Sequence, residues 1–375
     1  MNPLLQLKRF LLLIPETILF GISYAQFFFW SRSPVPLDAS EIWQRLTQPG
    51  HPWLEGLQRH YPPAPVRRLY AKLYVRFKDR IAGIAQHYDL SNQFYQLFLD
   101  RRYMFYTCAD FIDRTDTLEE AQNHKANFLV NLLDPQPGER ILELGCGWGA
   151  MLKKLYETTG DRENLYGYTL SIEQKHFIDD HYGFHAEFKD FITTDYAPNA
   201  WDKIYSIGGM EHVPQADLLP LAQKLAKTIK PTGRLVHHFF SQTSATPATR
   251  LLAGGADVFP GLELSHWQQH LDVFEAAGLR VVHHSVHDYR PTLQAWFQRL
   301  TDQAEEAIKL VGVYHYNRYL CYLAVAWRLF NDRDLTIMRF VLQRQDAPVA
   351  WRSTLYAAPD TAPVEDSKIH LLMPL

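Results

Sequence analysis

The sequence predicts an α/β fold, a mostly parallel sheet with helices on both faces, preceded by a helical N-terminal region. Three observations predict it. Short apolar runs and amphipathic runs alternate from about residue 81 onward, and such alternation builds a parallel sheet covered on both sides. A glycine-punctuated turn, "ELGCGWGA", joins the first of these runs to the helix that follows. Pro-rich breaks at 31–38 ("SRSPVPLD") and 60–68 ("HYPPAPVRR") set the first 80 or so residues apart.

Residues 10–30 are very apolar and long enough in principle to span a bilayer. Pro15 and Glu16 interrupt the run, and Ser23, Tyr24 and Gln26 dilute it. A charge inside a span is costly, so a segment lying on a membrane or packing into a core is expected rather than a span. No small-residue cleavage site follows residues 11–14, which argues against a secretory signal. Further on, "RRLYAKLYVRFKDR" places Arg68, Lys72 and Arg76 on one stripe and Leu69, Leu73 and Phe77 on its neighbour. Such a basic amphipathic helix can lie on anionic lipid, or it can be a surface helix with a solvated face. Residues 1–80 are therefore read as an accessory region suited to membrane contact.

In the next unit, 81–345, "RILELG", "NLYGYTL", "AEFKDF", "KIYSIGG" and "GRLVHHFF" read as strands. "AMLKKLYETT", "SIEQKHFIDDHYG" and "ADLLPLAQKLAKTIK" read as the intervening helices. Residues 346–375 lose periodicity and read as an extended tail, and no internal repeat is visible.

Composition excludes some classes. The net charge of −3 lacks the basic excess that a nucleic-acid binder needs. Cys108, Cys146 and Cys321 are too widely spaced for a disulfide framework or a zinc ligand set. A cytoplasmic setting with peripheral membrane contact is the expectation, and no metal is expected. The 14% aromatic content suits an apolar ligand, although aromatic cores are the commoner cause.

The glycine turn raises the question of its ligand. Gly145, Gly147 and Ala150 satisfy the dinucleotide fingerprint, which also wants an acid about twenty positions on, at the end of the next strand. That strand ends in Thr169, Leu170 and Ser171, with no acid there. Glu143 instead stands two residues before Gly145. A carboxylate beside a glycine turn suits a cationic ligand better than a pyrophosphate. S-adenosylmethionine, with its sulfonium and amino groups, fits.

"HYDLSNQFYQLFLD", "YTCADF", "LEEAQNHKANFL", "LELGCGWG", "YTLSIEQ", "EHV" and "YRPTLQAW" follow one another in this order. As a series they resemble the cyclopropane-fatty-acid synthase family of S-adenosylmethionine-dependent transferases, over roughly residues 81–344. The resemblance implies a Rossmann-like class I methyltransferase domain. It implies cofactor contacts from Tyr106, Thr107, Glu143, Gly145, Gly147, Gly149, Thr169, Ser171, Gln174, Asp190 and Phe191. It also implies a bound bicarbonate as the base, held by Cys108, Glu211, His238, Tyr289 and the backbone at Phe240.

Two departures bear on the acceptor. Gly208, Gly209 and Met210 precede Glu211, where the family commonly carries a bulky aromatic beside the glutamate. "LVHHFF" offers His237 and His238 where one histidine is usual, and adjacent strand residues point to opposite faces. Counting from Gly233 favours His238, while alignment to amine-methylating relatives can favour His237. The expected function is transfer of a carbon to the double bond of an unsaturated acyl chain, giving a cyclopropane or methyl-branched product. Phospholipid acyl chains or a membrane surface are the expected partners, and a homo-oligomer is possible. Plant-type coclaurine N-methyltransferases share much of the motif series, so methylation of a small amine is the rival. A catalytically idle lipid-binding protein is a third reading, opposed by the intact Glu143, Thr169, Gln174, Glu211 and Tyr289.

Overall fold

A computed structural model describes residues 13–50, 91–243 and 265–348 of the 375-residue chain. The Arg68–Lys72–Arg76 stripe and all but the first residues of the expected tail lie outside these. In chain order the helices are α1 (Leu13–Ser31), α2 (Ala39–Thr47), α3 (Asn92–Gln96), α4 (Leu118–Leu133), α5 (Ala150–Thr159), α6 (Ile172–His181), α7 (Gln215–Thr228), α8 (Trp267–Ala276), α9 (Arg290–Asp302) and α10 (Ala304–Asn331). The strands are β1 (Ile141–Leu144), β2 (Leu165–Thr169), β3 (His185–Phe188), β4 (Trp201–Ile207), β5 (Ile229–Gln242), β6 (Leu279–His287) and β7 (Leu335–Arg344).

The seven strands form one sheet in the order β3-β2-β1-β4-β5-β7-β6. β1 to β5 run parallel, and β7 inserts antiparallel between β5 and β6. Strand order reverses between β1 and β4, where open α/β sheets leave a crevice at the strands' carboxyl ends. The five strands expected from sequence are β1 to β5. β6 and β7 are additional, because "LRVVHHSVH" is broken by histidines and "LTIMRFVLQR" carries an arginine in its middle.

Local chemistry explains the flanking elements. Thr117 and Glu120 form a reciprocal capping box that starts α4. Gly149 and Gly160 bound α5 in the left-handed region, at φ 77° and 70°. One face of the sheet is filled by α4 and α5, with Ala126, Leu129, Met151 and Leu155 on Val236 and Val341. On the other, α7 and α8 bring Leu221, Leu225 and Phe274 onto Leu235, Phe239 and Phe340.

A third cluster joins α1, α2, α3, α9 and α10. The described part of the N-terminal region therefore packs onto the C-terminal helices: Phe27, Ile42 and Leu46 are buried with Leu293, Trp296 and Leu320. Asn317 of α10, fully buried, ties the α1–α2 connection down. Its Oδ1 accepts from the Leu37 amide at 3.0 Å, and its Nδ2 donates to the Ser33 and Val35 carbonyls at 3.2 and 2.9 Å. Among the described residues no helix is long and apolar enough to cross a membrane.

Candidate active site

The turn after β1 supports a cleft at the carboxyl ends of β1, β2 and β4, where open α/β sheets bind their ligands. Gly145 and Gly147 are both left-handed, at φ 82° and 53°. A Cβ on Gly145 would stand 3.2 Å from the Gly209 Cα, whereas one on Gly147 would meet only Gln174 Nε2, at 3.9 Å. Gly147 therefore holds open space that belongs to the cleft. Tyr106, Thr107, Glu143, Gly145, Gly147, Thr169, Gln174 and Phe191 all line it.

Three expected cofactor contacts lie outside the lining. Gly149 faces α6, where its Cβ would meet Ile178 at 3.1 Å. Ser171 is the N-cap of α6, and its hydroxyl accepts from the Gln174 amide. Asp190 accepts from the Ile192 amide at 3.0 Å to shape the turn after β3, while its neighbours Lys189 and Phe191 reach the cleft. Thr169 lines the cleft, but its hydroxyl donates to Gln174 Oε1 at 2.8 Å, so the two side chains orient one another.

Glu143 is buried, and its Oε2 accepts from the Tyr205 hydroxyl at 2.9 Å. Burial pushes its pKa well up, against the Tyr205 hydrogen bond and the Lys125 charge. A cationic group entering the cleft would oppose that shift and favour the carboxylate. The buried carboxylate, the left-handed glycines and apolar walls from Met104, Leu170, Phe191 and Ile207 fit S-adenosylmethionine.

A second constellation adjoins the cleft at Gly208. The Gly208 amide donates to the His238 carbonyl at 3.0 Å. A Cβ at this glycine, which has φ 77°, would meet Thr107 Cγ2 at 2.8 Å and Glu211 Oε1 at 3.6 Å. On Gly209 it would meet the Leu144 carbonyl at 2.5 Å. The two glycines thus let the β4 end pass between β1 and the Thr107 loop. Glu211, in the 3₁₀ turn Met210–His212, is buried, and burial raises its pKa to about 8 despite the Phe240 amide facing it. Its Oε2 has no hydrogen-bond partner among the described residues. Cys108, fully buried, donates from Sγ to the Ala109 and Asp288 carbonyls at 3.4 and 3.5 Å. Burial pushes its thiol pKa up, so it stays protonated. Tyr289 follows Asp288 at the start of α9, edge-on to Trp296 and Phe330.

The two histidines part company. His237 stacks on Phe239 at 4.0 Å and meets His270 of α8, on the far face. His238 faces the α4 side, where Arg339 Nε donates to its Nδ1 at 2.9 Å. Sequence reasoning missed Lys125, Asp110 and Arg339 here. Lys125 Nζ donates to Thr107 Oγ1 at 2.8 Å, and Arg339 grips Asp110 through two 2.7 Å bonds. Lysine at an apolar-face position of α4 and arginine inside an apolar strand were the available signals, since buried charges require partners.

This sheet order, with a glycine turn after β1 beside a buried acid, defines a class I S-adenosylmethionine-dependent methyltransferase. Residues 76–340 match the family described as mycolic acid cyclopropane synthetase, and the chain belongs to that family. It is 30% identical to a probable fatty acid methyltransferase of Mycobacterium tuberculosis over 76% of this chain and 69% of that protein. It is also 30% identical to cyclopropane mycolic acid synthase 2 of Mycobacterium leprae, over 71% and 95% of the two chains. The solved cyclopropane synthase MmaA2 of Mycobacterium tuberculosis superposes with a TM-score of 0.66 at 25% identity, covering 71% of this chain and 99% of that one. A coclaurine N-methyltransferase structure shares the fold, with a TM-score of 0.59 at 17% identity over 77% and 98% of the two chains.

Proposed function

We propose that this enzyme transfers a carbon from S-adenosylmethionine to the double bond of an unsaturated fatty-acyl chain, giving a cyclopropane or a methyl branch. The observation that carries this reading is Glu211: a buried carboxyl whose pKa burial raises to about 8, with no hydrogen-bond partner for Oε2 among the described residues, beside Gly208 of the cleft. Amine methylation releases at most an ordinary proton, which solvent can accept. Alkene methylation leaves a carbocation, and a proton must then leave the new methyl group before a ring can close.

S-adenosylmethionine supplies an electrophilic methyl carbon when bound. Gly145, Gly147 and Glu143 would hold its methionine part, with Phe191 beside the adenine. Tyr106, Tyr289 and Trp296 form an aromatic wall: Tyr106 and Tyr289 pack at 5.1 and 5.7 Å from Trp296. Aromatic faces stabilise a cation and keep out the water that would trap it.

The residues also fit bicarbonate, which would supply a proton acceptor. Glu211 is protonated below about pH 8 and can donate to an anion. The Phe240 amide, the Tyr289 hydroxyl and the His238 ring would complete its cradle beside Cys108.

Peripheral membrane contact is part of the same proposal. Ile18, Ile22 and Phe29 are exposed on α1, and at 100° per residue they share one side of the helix. An acceptor that resides in a bilayer requires the enzyme to reach it.

The test is methyl-labelled S-adenosylmethionine with vesicles of unsaturated phospholipid, followed by mass spectrometry of the acyl chains. A chain heavier by one methylene supports the reading, and resistance to hydrogenation identifies a ring. Label on a soluble amine with unchanged lipids sinks it.

A further inference from the structure

We infer that Arg339 is a positioning residue that locks His238 as a neutral hydrogen-bond donor, so that the histidine orients the base and never serves as it. The inference rests on the acyl-chain reading only for what the base does, not for the state of the ring.

A guanidinium has five N–H donors, no acceptor, and no accessible deprotonation. Arg339 Nε lies 2.9 Å from His238 Nδ1, so Nδ1 must present its lone pair. A neutral imidazole then carries its proton on Nε2, and one tautomer is selected.

The arginine is itself held. It is fully buried on β7, directly opposite His238 on β5 and Ser285 on β6. Its two terminal nitrogens each donate to one Asp110 oxygen at 2.7 Å, a fork-to-fork pair with little freedom to rotate. Asp110 Oδ1 also meets His287 Nδ1 at 3.1 Å, and His287 Nε2 meets Ser285 Oγ at 2.8 Å. Although burial works against it, Arg339 and His287 keep Asp110 ionised. Asp110 lies two residues after Cys108, so the clamp also ties the Cys108 loop to the strand carrying His238.

The charged surroundings agree with a neutral ring. Burial, then the positive charges of Arg339 on β7 and Lys125 on α4, and then His287 on β6, hold the His238 pKa well below its ordinary value. Asp110 alone opposes them. Protonating Nδ1 would break the Arg339 bond and set two cations together. A proton released by the reaction therefore cannot rest there, which leaves that duty to the bound base that the ring orients.

Arg339→Lys tests this, since lysine keeps the charge but cannot pair Asp110 at two points and also reach His238. A paired variant, Arg339→Met with Asp110→Leu, removes both charges together and leaves no buried carboxylate without a partner. Histidine-labelled protein would be observed by ¹⁵N NMR, with the His238 signals assigned by difference against His238→Ala. Wild type should show Nδ1 bare and Nε2 protonated from about pH 5 to 9, the window in which a free histidine titrates. Both variants should lose about 10- to 100-fold in kcat, as when an orienting partner is removed from a functional histidine. S-adenosylmethionine affinity by calorimetry should stay unchanged, and the kcat profile should gain an ionisation on its acid side as His238 becomes protonatable.

A protonated Nδ1 in the wild type would overturn the inference. So would Arg339→Lys, or the paired variant should that one not fold, retaining the wild-type kcat, pH profile and ring tautomer. Failure of the acyl-chain reading would show separately, as absent lipid product from a wild-type enzyme whose ring spectrum is as expected.

Discussion

His237 Nε2 and His270 Nδ1 lie 3.3 Å apart across the space between β5 and α8, on the sheet face opposite the one that His238 occupies. The neighbouring histidines therefore do different work, and substitutions should separate them. His237→Ala removes a fully buried ring stacked on Phe239 and should destabilise the fold by about 2–4 kcal/mol through the cavity it leaves. The kcat of the folded fraction should hold. His238→Ala should instead lower kcat while cofactor affinity holds. Denaturant titration alongside steady-state kinetics distinguishes them, and a swapped pattern would assign the site to His237.

Glu211 makes a prediction about pH. Its carboxyl ionises near 4.5 when unfolded and near 8 when folded. Between those values the folded state binds the extra proton, so this group's contribution to stability declines as pH rises from about 4.5 and levels off above about 8. Glu211→Gln abolishes that slope. Relative to wild type it should gain at most ~1.4 kcal/mol per pH unit within the window, while kcat falls by about 10²-fold or more. Paired urea titrations at pH 5 and pH 8 check the first part; an equal difference at both would refute it.

Two glycines should respond oppositely. Gly147→Leu faces open cleft and should fold with only the ~1–2 kcal/mol penalty of a left-handed side chain. It should nevertheless abolish S-adenosylmethionine binding by calorimetry, because the side chain occupies the cofactor's space. Gly209→Ala should fail to fold normally, since its Cβ would sit 2.5 Å from the Leu144 carbonyl. A Gly147→Leu protein that still binds cofactor at wild-type affinity would remove the glycine turn from the binding site.

Membrane contact is tested on α1. Ile18→Ser, Ile22→Ser and Phe29→Ser together change only exposed positions, so each should alter stability by no more than ~0.5 kcal/mol. Co-sedimentation with phospholipid vesicles should drop sharply. Unchanged sedimentation would show that this face does not meet lipid.

Much of the site was legible because its chemistry is local. Glycines between a strand and a helix announce a left-handed turn, and Gly145, Gly147 and Glu143 sit within five residues of one another. The alternation of short apolar runs with amphipathic runs located β1 to β5 and α5 to α7 for the same reason. The cofactor loop and its acid could therefore be named from residues alone.

Other features depend on pairing that no local pattern encodes. β7 slips between β5 and β6, and only that insertion sets Arg339 opposite His238. Asp110 and Arg339 are 229 positions apart, and each looks like an isolated charge until the fold joins them. The N-terminal run read as apolar, to lie on a membrane or pack into a core, and its packing partner was not legible because the receiving surface on α9 and α10 is built by the other end of the chain. Strand alternation determined that His237 and His238 point opposite ways. Which of them faces α4 and which faces α8 was decided by where those helices came to rest, since side-chain surroundings follow from tertiary packing and sequence periodicity sets only their parity.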